Sequence, residues 1–80
     1  MTRILFFGKV ADAMGRELDV ALPDAGCTIG DLRRRLAEQT GSDVLLQPGV
    51  RASVDKRVTT DDARVGSESE VAFFSVFSGG

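Results

Sequence analysis

Apolar and aromatic residues open the chain as Arg3-Ile4-Leu5-Phe6-Phe7-Gly8-Lys9-Val10, a stretch of strand length and composition that predicts a first strand. Alternation divides it into Ile4, Phe6, Gly8 and Val10 on one face and Arg3, Leu5, Phe7 and Lys9 on the other, so the charged set faces water. Ala11 to Gly15 interrupt the run. From Arg16 to Leu22, the apolar Leu18, Val20 and Leu22 alternate with Glu17, Asp19 and Ala21 until Pro23 and Asp24 break the pattern, which predicts a second strand. The short connection makes the pair an antiparallel hairpin.

The period then changes. Thr28-Ile29-Gly30-Asp31 has the form of a capping box, with the Thr28 hydroxyl placed to accept from the third helical amide and Asp31 to complement the positive helix end. Ile29, Leu32 and Leu36 follow at spacings of three and four, one apolar stripe of a helix about a dozen residues long that Gly41 ends. Arg33-Arg34-Arg35 fall opposite that stripe and read as a solvated face. Gly41 to Gly49 is loop-like, with Val44, Leu45 and Leu46 pinning its middle to the core. Val50 to Val54 predicts a third strand and Val58 with its neighbours a minor fourth. Asp61 to Glu70 is polar and turn-rich. Val71 to Phe77 is the final strand, with Val71, Phe73, Ser75 and Phe77 inward and Glu70, Ala72, Phe74 and Val76 outward. The order implies an α+β domain, a mixed sheet of four to five strands with one main helix on one face. Leu5, Phe7 and Phe74 then face away from that helix. If the first and last strands are neighbours, these side chains form a contiguous apolar patch, the signature of a protein contact; a covering loop is the alternative.

Eighty residues with a formal charge of -2 allow one small core and no deep two-lobed cleft, since so short a chain buries only about 60 to 65% of its unfolded surface. The expectation is a single domain over 1–80, with 76–80 as a flexible Gly-Gly tail. The chain has no His, Tyr, Trp or Asn and one cysteine, Cys27, so the commonest general base and metal ligand are missing and no internal disulfide forms. A metal site is not expected. The weakly acidic balance argues against nucleic-acid binding, and the opening apolar run is too short for a signal peptide or a membrane span. These features point to the reducing cytoplasm.

Candidate chemistry is correspondingly scarce. The chain contains no dinucleotide or phosphate-loop glycine motif and no Cys-x-x-Cys. Cys27 lies just ahead of the helix, where the dipole favours a thiolate, yet no base adjoins it in sequence, so a buried structural cysteine is the stronger reading. Asp61-Asp62 read as solvated acids rather than a cation site. Gly79-Gly80 stand apart. At an average glycine frequency, two terminal glycines arise by chance in roughly half a percent of chains. Without a Cβ, such a pair threads a narrow channel and presents its carboxylate with little steric shielding. Val76 to Gly80 reach about 17 Å when extended, enough to enter a partner's active site. A terminal carboxylate, with a pKa of about 3.5, is an anion and a poor electrophile at neutral pH. This chain has no motif to activate it. Another protein must do so, with Gly80 as the reacting residue, Gly79 beside it, and Leu5, Phe7, Phe74, Val76, Phe77 and Ser78 as the partner-binding set.

The Ile4-Leu5-Phe6-Phe7-Gly8-Lys9-Val10 start, Thr28-Ile29-Gly30-Asp31-Leu32, Ala52-Ser53-Val54, and Glu70-Val71-Ala72-Phe73-Phe74 leading to Ser78-Gly79-Gly80 together resemble the small subunit of molybdopterin synthase, MoaD. The resemblance spans essentially the whole chain and implies a β-grasp, ubiquitin-like fold with the first and last strands adjacent. It also implies a sulfur carrier. An E1-like adenylyltransferase (MoeB-like) uses ATP and magnesium to adenylate the Gly80 carboxylate, which becomes a thiocarboxylate. The tail then enters the large synthase subunit (MoaE-like), within a heterotetramer, and donates sulfur to precursor Z. No cofactor is bound by the chain itself, which on this reading is not a catalyst alone. By position, Gly79 and Gly80 match the transfer motif and Phe74 an aromatic of the partner-binding face.

The chain departs from the family pattern in three places. Ser75 and Val76 stand where two prolines are common, Ser67-Glu68-Ser69 replaces an Asp-Gly-Asp turn with Gly66 shifted, and Asp55 replaces an Asn. Other readings stay open: a β-grasp carrier for thiamine biosynthesis or tRNA thiolation, a ubiquitin-like modifier, or an interaction module with incidental glycines.

Overall fold

The two most apolar strands of the chain meet at the centre of one sheet. In chain order the elements are β1 (Thr2–Phe6), α1 (Lys9–Met14), β2 (Glu17–Val20), β3 (Cys27–Thr28), α2 (Ile29–Thr40), a 3-10 turn (Val44–Leu46), β4 (Val50–Val54), β5 (Arg57–Thr59), β6 (Arg64–Val65) and β7 (Glu70–Ser75). The computed structural model describes residues 1–75; Val76, Phe77, Ser78, Gly79 and Gly80 lie outside the described residues. The main sheet has five strands in the order β2-β1-β7-β4-β5. β1 and β7 pair in parallel, with Phe6 opposite Phe73 and Leu5 opposite Ala72, and the other pairs are antiparallel. Parallel neighbours need a long crossover, and α2 lies in the chain between them. This is the mixed sheet and single long helix of the β-grasp fold.

One face of the sheet is buried. Ile4, Phe6, Ala52, Val71 and Phe73 meet Ile29, Leu32 and Leu36 of α2 in one hydrophobic cluster completed by Val10, Val20, Leu45 and Val65. The Phe6 and Phe73 rings stack at 6.1 Å between centroids and 15° between planes, an arrangement that adds to simple area burial. The helix begins and ends as its sequence dictates. Thr28 Oγ1 accepts from the Asp31 amide at 3.1 Å, and Gly41, at φ 75, donates its amide to Ala37 O, a left-handed termination suited to glycine. Losing the Thr28 hydroxyl leaves an orphan amide, so Thr28→Ala is expected to lower stability by about 1 kcal/mol while Thr28→Ser stays near wild type, as read from denaturant midpoints.

Four expectations are corrected. The first strand stops at Phe6 instead of reaching Val10. Gly8 takes φ 60 and ψ -136, backbone that glycine adopts at little cost, and the chain turns into α1. Val10 therefore enters the core from a helix, fully buried, and the exposed Lys9 opens α1 rather than lying on a strand. Of the three arginines assigned to a solvated face, Arg34 and Arg35 are exposed, but Arg33 is buried. Leu45 is fully buried as expected, whereas the adjacent Leu46 is 51% exposed, so it does not help pin the loop. The segment read as a featureless turn carries β6, which pairs with β3 through Cys27–Val65 and Thr28–Arg64. Gly26 allows that approach, because at its φ of +76 a Cβ would collide with the Val65 carbonyl.

Two of the three departures from the family pattern have local solutions here; Val76, in the third, lies outside the described residues. Asp55 and Lys56 form the β4–β5 turn at φ 50 and 72, and Asp tolerates that region better than most residues. The Asp55 carboxylate also accepts from the Glu70 amide at 3.0 Å, tying the turn to the start of β7. The Gly66–Ser69 turn is closed by the Gly66 amide donating to Ser69 Oγ at 3.0 Å and the Ser69 amide to Gly66 O at 3.1 Å. Serine does there, by hydrogen bonding, what a more usual turn residue does by backbone preference.

Candidate functional site: the open sheet face

The face of the sheet turned away from α2 is set by the register. One row crosses the sheet through Glu17, Leu5, Ala72, Ser53 and Val58, and another places Arg51 opposite Phe74. The Phe7 amide donates to Phe73 O at 3.0 Å, which extends the parallel ladder and carries Phe7 alongside Phe74. Leu5, Ala72 and Phe74 are half-buried, while Phe7 and Val58 are 52% and 69% exposed. Three residues expected to share an outward face, Leu5, Phe7 and Phe74, are thus brought together, and no described loop buries Phe7. Val76, Phe77, Ser78, Gly79 and Gly80 were also expected in the site and lie outside the described residues.

Ala72, placed outward by the alternation, belongs to the same face, as do Val58 and Arg51, which were not singled out from sequence. The signal for Val58 was present: a two-residue turn between β4 and β5 fixes which residues pair, and Ser53 sits opposite Val58. Beside the patch, Leu5, Phe7, Ala11 and the Arg16–Glu17 corner line a shallow, mainly apolar groove. The far end of the face is charged. Arg3 Nε lies 3.4 Å from a Glu17 oxygen and 3.8 Å from a Asp19 oxygen, and Glu70 is the neighbour of Arg3 across the β1–β7 pair.

Elsewhere the candidates are structural. Cys27 is buried and unpaired, and burial raises its thiol pKa, with Arg35 the largest opposing influence. That is the reverse of an activated thiolate. Asp31, held below its usual carboxylate range chiefly by a hydrogen bond from Arg34, caps the first turn of α2. Asp61 serves Arg33: the Arg33 Nε donates to Asp61 Oδ1 at 2.9 Å and its Nη1 to Leu45 O at 2.7 Å, with the guanidinium 5.3 Å from the Phe73 ring centroid. Among the described residues no cluster of His, Cys, Asp or Glu has metal-binding proximity. Nor is any helix among them long and apolar enough to cross a membrane. The feature that stands out among the described residues is the apolar strip of the open face.

Comparison with known proteins gives the family. The ThiS family model matches residues 4–80, nearly the whole sequence. The chain belongs to the ThiS family. That family comprises small β-grasp sulfur carriers. Among solved structures, this ThiS-family chain is similar to SAMP1 from Haloferax volcanii, at 18% identity and a TM-score of 0.78, covering 99% of this chain and 98% of that one. A second structure, of the H. volcanii small archaeal modifier protein 1, gives 15% identity, a TM-score of 0.74 and coverage of 92% and 94%. A Pyrococcus furiosus protein provisionally assigned as molybdopterin converting factor, subunit 1, gives 16% identity, a TM-score of 0.77 and coverage of 92% and 94%. At these identities the likeness establishes the fold. No curated protein sequence matches the chain.

Proposed function

We propose that the chain carries sulfur as a thiocarboxylate on Gly80 for molybdopterin synthesis. The observation that carries this reading is the family match through residue 80, which includes the Gly79-Gly80 pair. An E1-like adenylyltransferase supplies the activation. A Gly80 carboxylate oxygen attacks the α-phosphorus of ATP and pyrophosphate leaves; a sulfur nucleophile then attacks the acyl carbon and AMP leaves. The chain itself contributes a stalk without side chains and a docking face. Leu5, Phe7 and Phe74, on and beside the strand that leads to the tail, form that face toward both the adenylyltransferase and the large synthase subunit. The Glu70-Val71-Ala72-Phe73-Phe74 sequence of β7 favours the molybdopterin branch over thiamine biosynthesis or tRNA thiolation, since it is among the segments that resemble MoaD. Similarity to a modifier protein favours, as a second reading, capture of the same activated carbonyl by an amine.

Coexpression with a MoeB-like adenylyltransferase and a sulfur source, followed by intact-protein mass spectrometry, tests the reading. The expected product is heavier by the exchange of one terminal oxygen for sulfur, and it converts precursor Z when mixed with the large synthase subunit. An isopeptide-linked product favours the modifier reading. An unmodified mass, under conditions that thiolate a known carrier, defeats both. Phe74→Arg places a cation in the apolar strip without touching the buried face, so binding to the adenylyltransferase is expected to weaken by about tenfold or more while the unfolding midpoint moves little. An unchanged dissociation constant means the docking face lies elsewhere.

A further inference from the structure

The charges on the open face are unevenly compensated. At the end where β1 begins, Arg3 is shared by Glu17 and Asp19, and Glu70 is its register neighbour on β7, so three acidic residues accompany a single arginine. At the opposite end, Arg51 lies across from Phe74, next to where β7 finishes at Ser75 paired with Val50. Arg51 is exposed and has no ion pair or side-chain hydrogen bond among the described residues. Between the two ends β1, β7 and β4 present only uncharged side chains, Leu5, Ala72, Ser53, Phe7 and Phe74, with Glu17 at the β2 edge of the middle row and Arg16 beside it. The face is therefore electrically polar along the strands, negative at the start of β1 and positive at the end of β7.

We infer that Arg51 is a specificity-determining residue of this face, selecting a partner whose apolar surface carries a carboxylate beside the point where it receives the chain's tail. This rests on the docking reading proposed above and adds to it the chemistry and orientation of the partner. Covering Phe74 with a protein surface removes water from its cross-strand neighbour. An arginine desolvated without a counter-charge is costly, and pairing with a carboxylate offsets that cost. Arg3 makes no such demand, because this chain already supplies its carboxylates. A rival docked in the reverse orientation sets its carboxylate against Glu17, Asp19 and Glu70, where like charges repel. Such a repulsive element separates partners that an apolar strip alone treats alike.

The test measures binding of the purified MoeB-like adenylyltransferase to the intact chain and to Arg51→Glu, Arg51→Lys and Arg35→Glu. Arg35 is exposed on α2, away from the open face, so its variant makes the same charge change without meeting the partner. At low salt Arg51→Glu is expected to weaken binding by about tenfold or more and to flatten its salt dependence, while Arg51→Lys retains most of the affinity and Arg35→Glu stays within about twofold. Wild-type affinity in Arg51→Glu overturns the inference, as does an equal loss in Arg35→Glu, which marks a net-charge effect. Sulfur gain by the intact chain with the same enzyme is recorded in parallel. If it occurs and Arg51→Glu binds normally, only the inference falls. If the intact chain neither binds nor gains sulfur, the proposed function falls and the inference with it.

Discussion

Removing Gly80 is expected to abolish sulfur gain completely while the unfolding transition stays where it is. Among the described residues every member of the buried cluster lies between Ile4 and Phe73, so the apolar burial seen there comes from residues well before the deletion. Chemistry loses more. Deleting one glycine moves the terminal carboxylate about 3.5 Å back along the stalk, and for reactions that depend on near-attack geometry a misplacement of about 1 Å already costs on the order of a hundredfold. Extending the chain by a blocking residue tests the same point from the other side, because it buries the Gly80 carbonyl in a peptide bond. The measurement is intact mass after coexpression with the adenylyltransferase, alongside thermal unfolding of each variant. A truncated chain that still acquires sulfur at the wild-type rate sinks the proposed role of Gly80.

The second large effect is on stability. Phe73→Ala is expected to cost about 3 to 5 kcal/mol, a sizeable part of the 5 to 15 kcal/mol available to a typical small domain. Phe73 is fully buried, stacks on Phe6 and underlies the Arg33 guanidinium. Its removal opens a cavity under a buried charge as well as in the apolar cluster. Phe73→Leu keeps much of the volume and should cost appreciably less. Equilibrium urea unfolding distinguishes the two, and similar small losses from both variants would show that the site collapses around the missing ring. The adjacent Phe74 makes the contrast sharp: one residue along the strand, the side chain is on the open face, and its substitution is expected to change binding instead.

That contrast was legible without tertiary coordinates. Alternation has a period of two, so once Ile4 and Phe6 are inward, Leu5 and Phe7 must be outward, and the same holds for Phe73 and Phe74. The ends of α2 were legible for an equally local reason, since the Thr28 cap and the Gly41 termination involve residues only a few positions away. Arg33 was misread because a helical pattern reports polarity at a position and not what lies opposite it. The position is buried because Phe73, Leu45 O and Asp61, distant in sequence, supply a ring face and two acceptors. β3 and β6 escaped notice because strands of two residues have no period to read.

The order of residues by itself determined the principal elements and the inward and outward residues of Ile4 to Phe7 and Val71 to Phe74. Tertiary structure alone decided that β1 and β7 lie side by side, that Val10 enters the core from a helix, and that Arg51 stands beside Phe74 with no ion pair among the described residues. The division follows from range. Alternation and capping act over one to four residues and leave a trace in the sequence, whereas strand adjacency and the burial of a charge depend on partners tens of residues away, which the chain brings together only by folding.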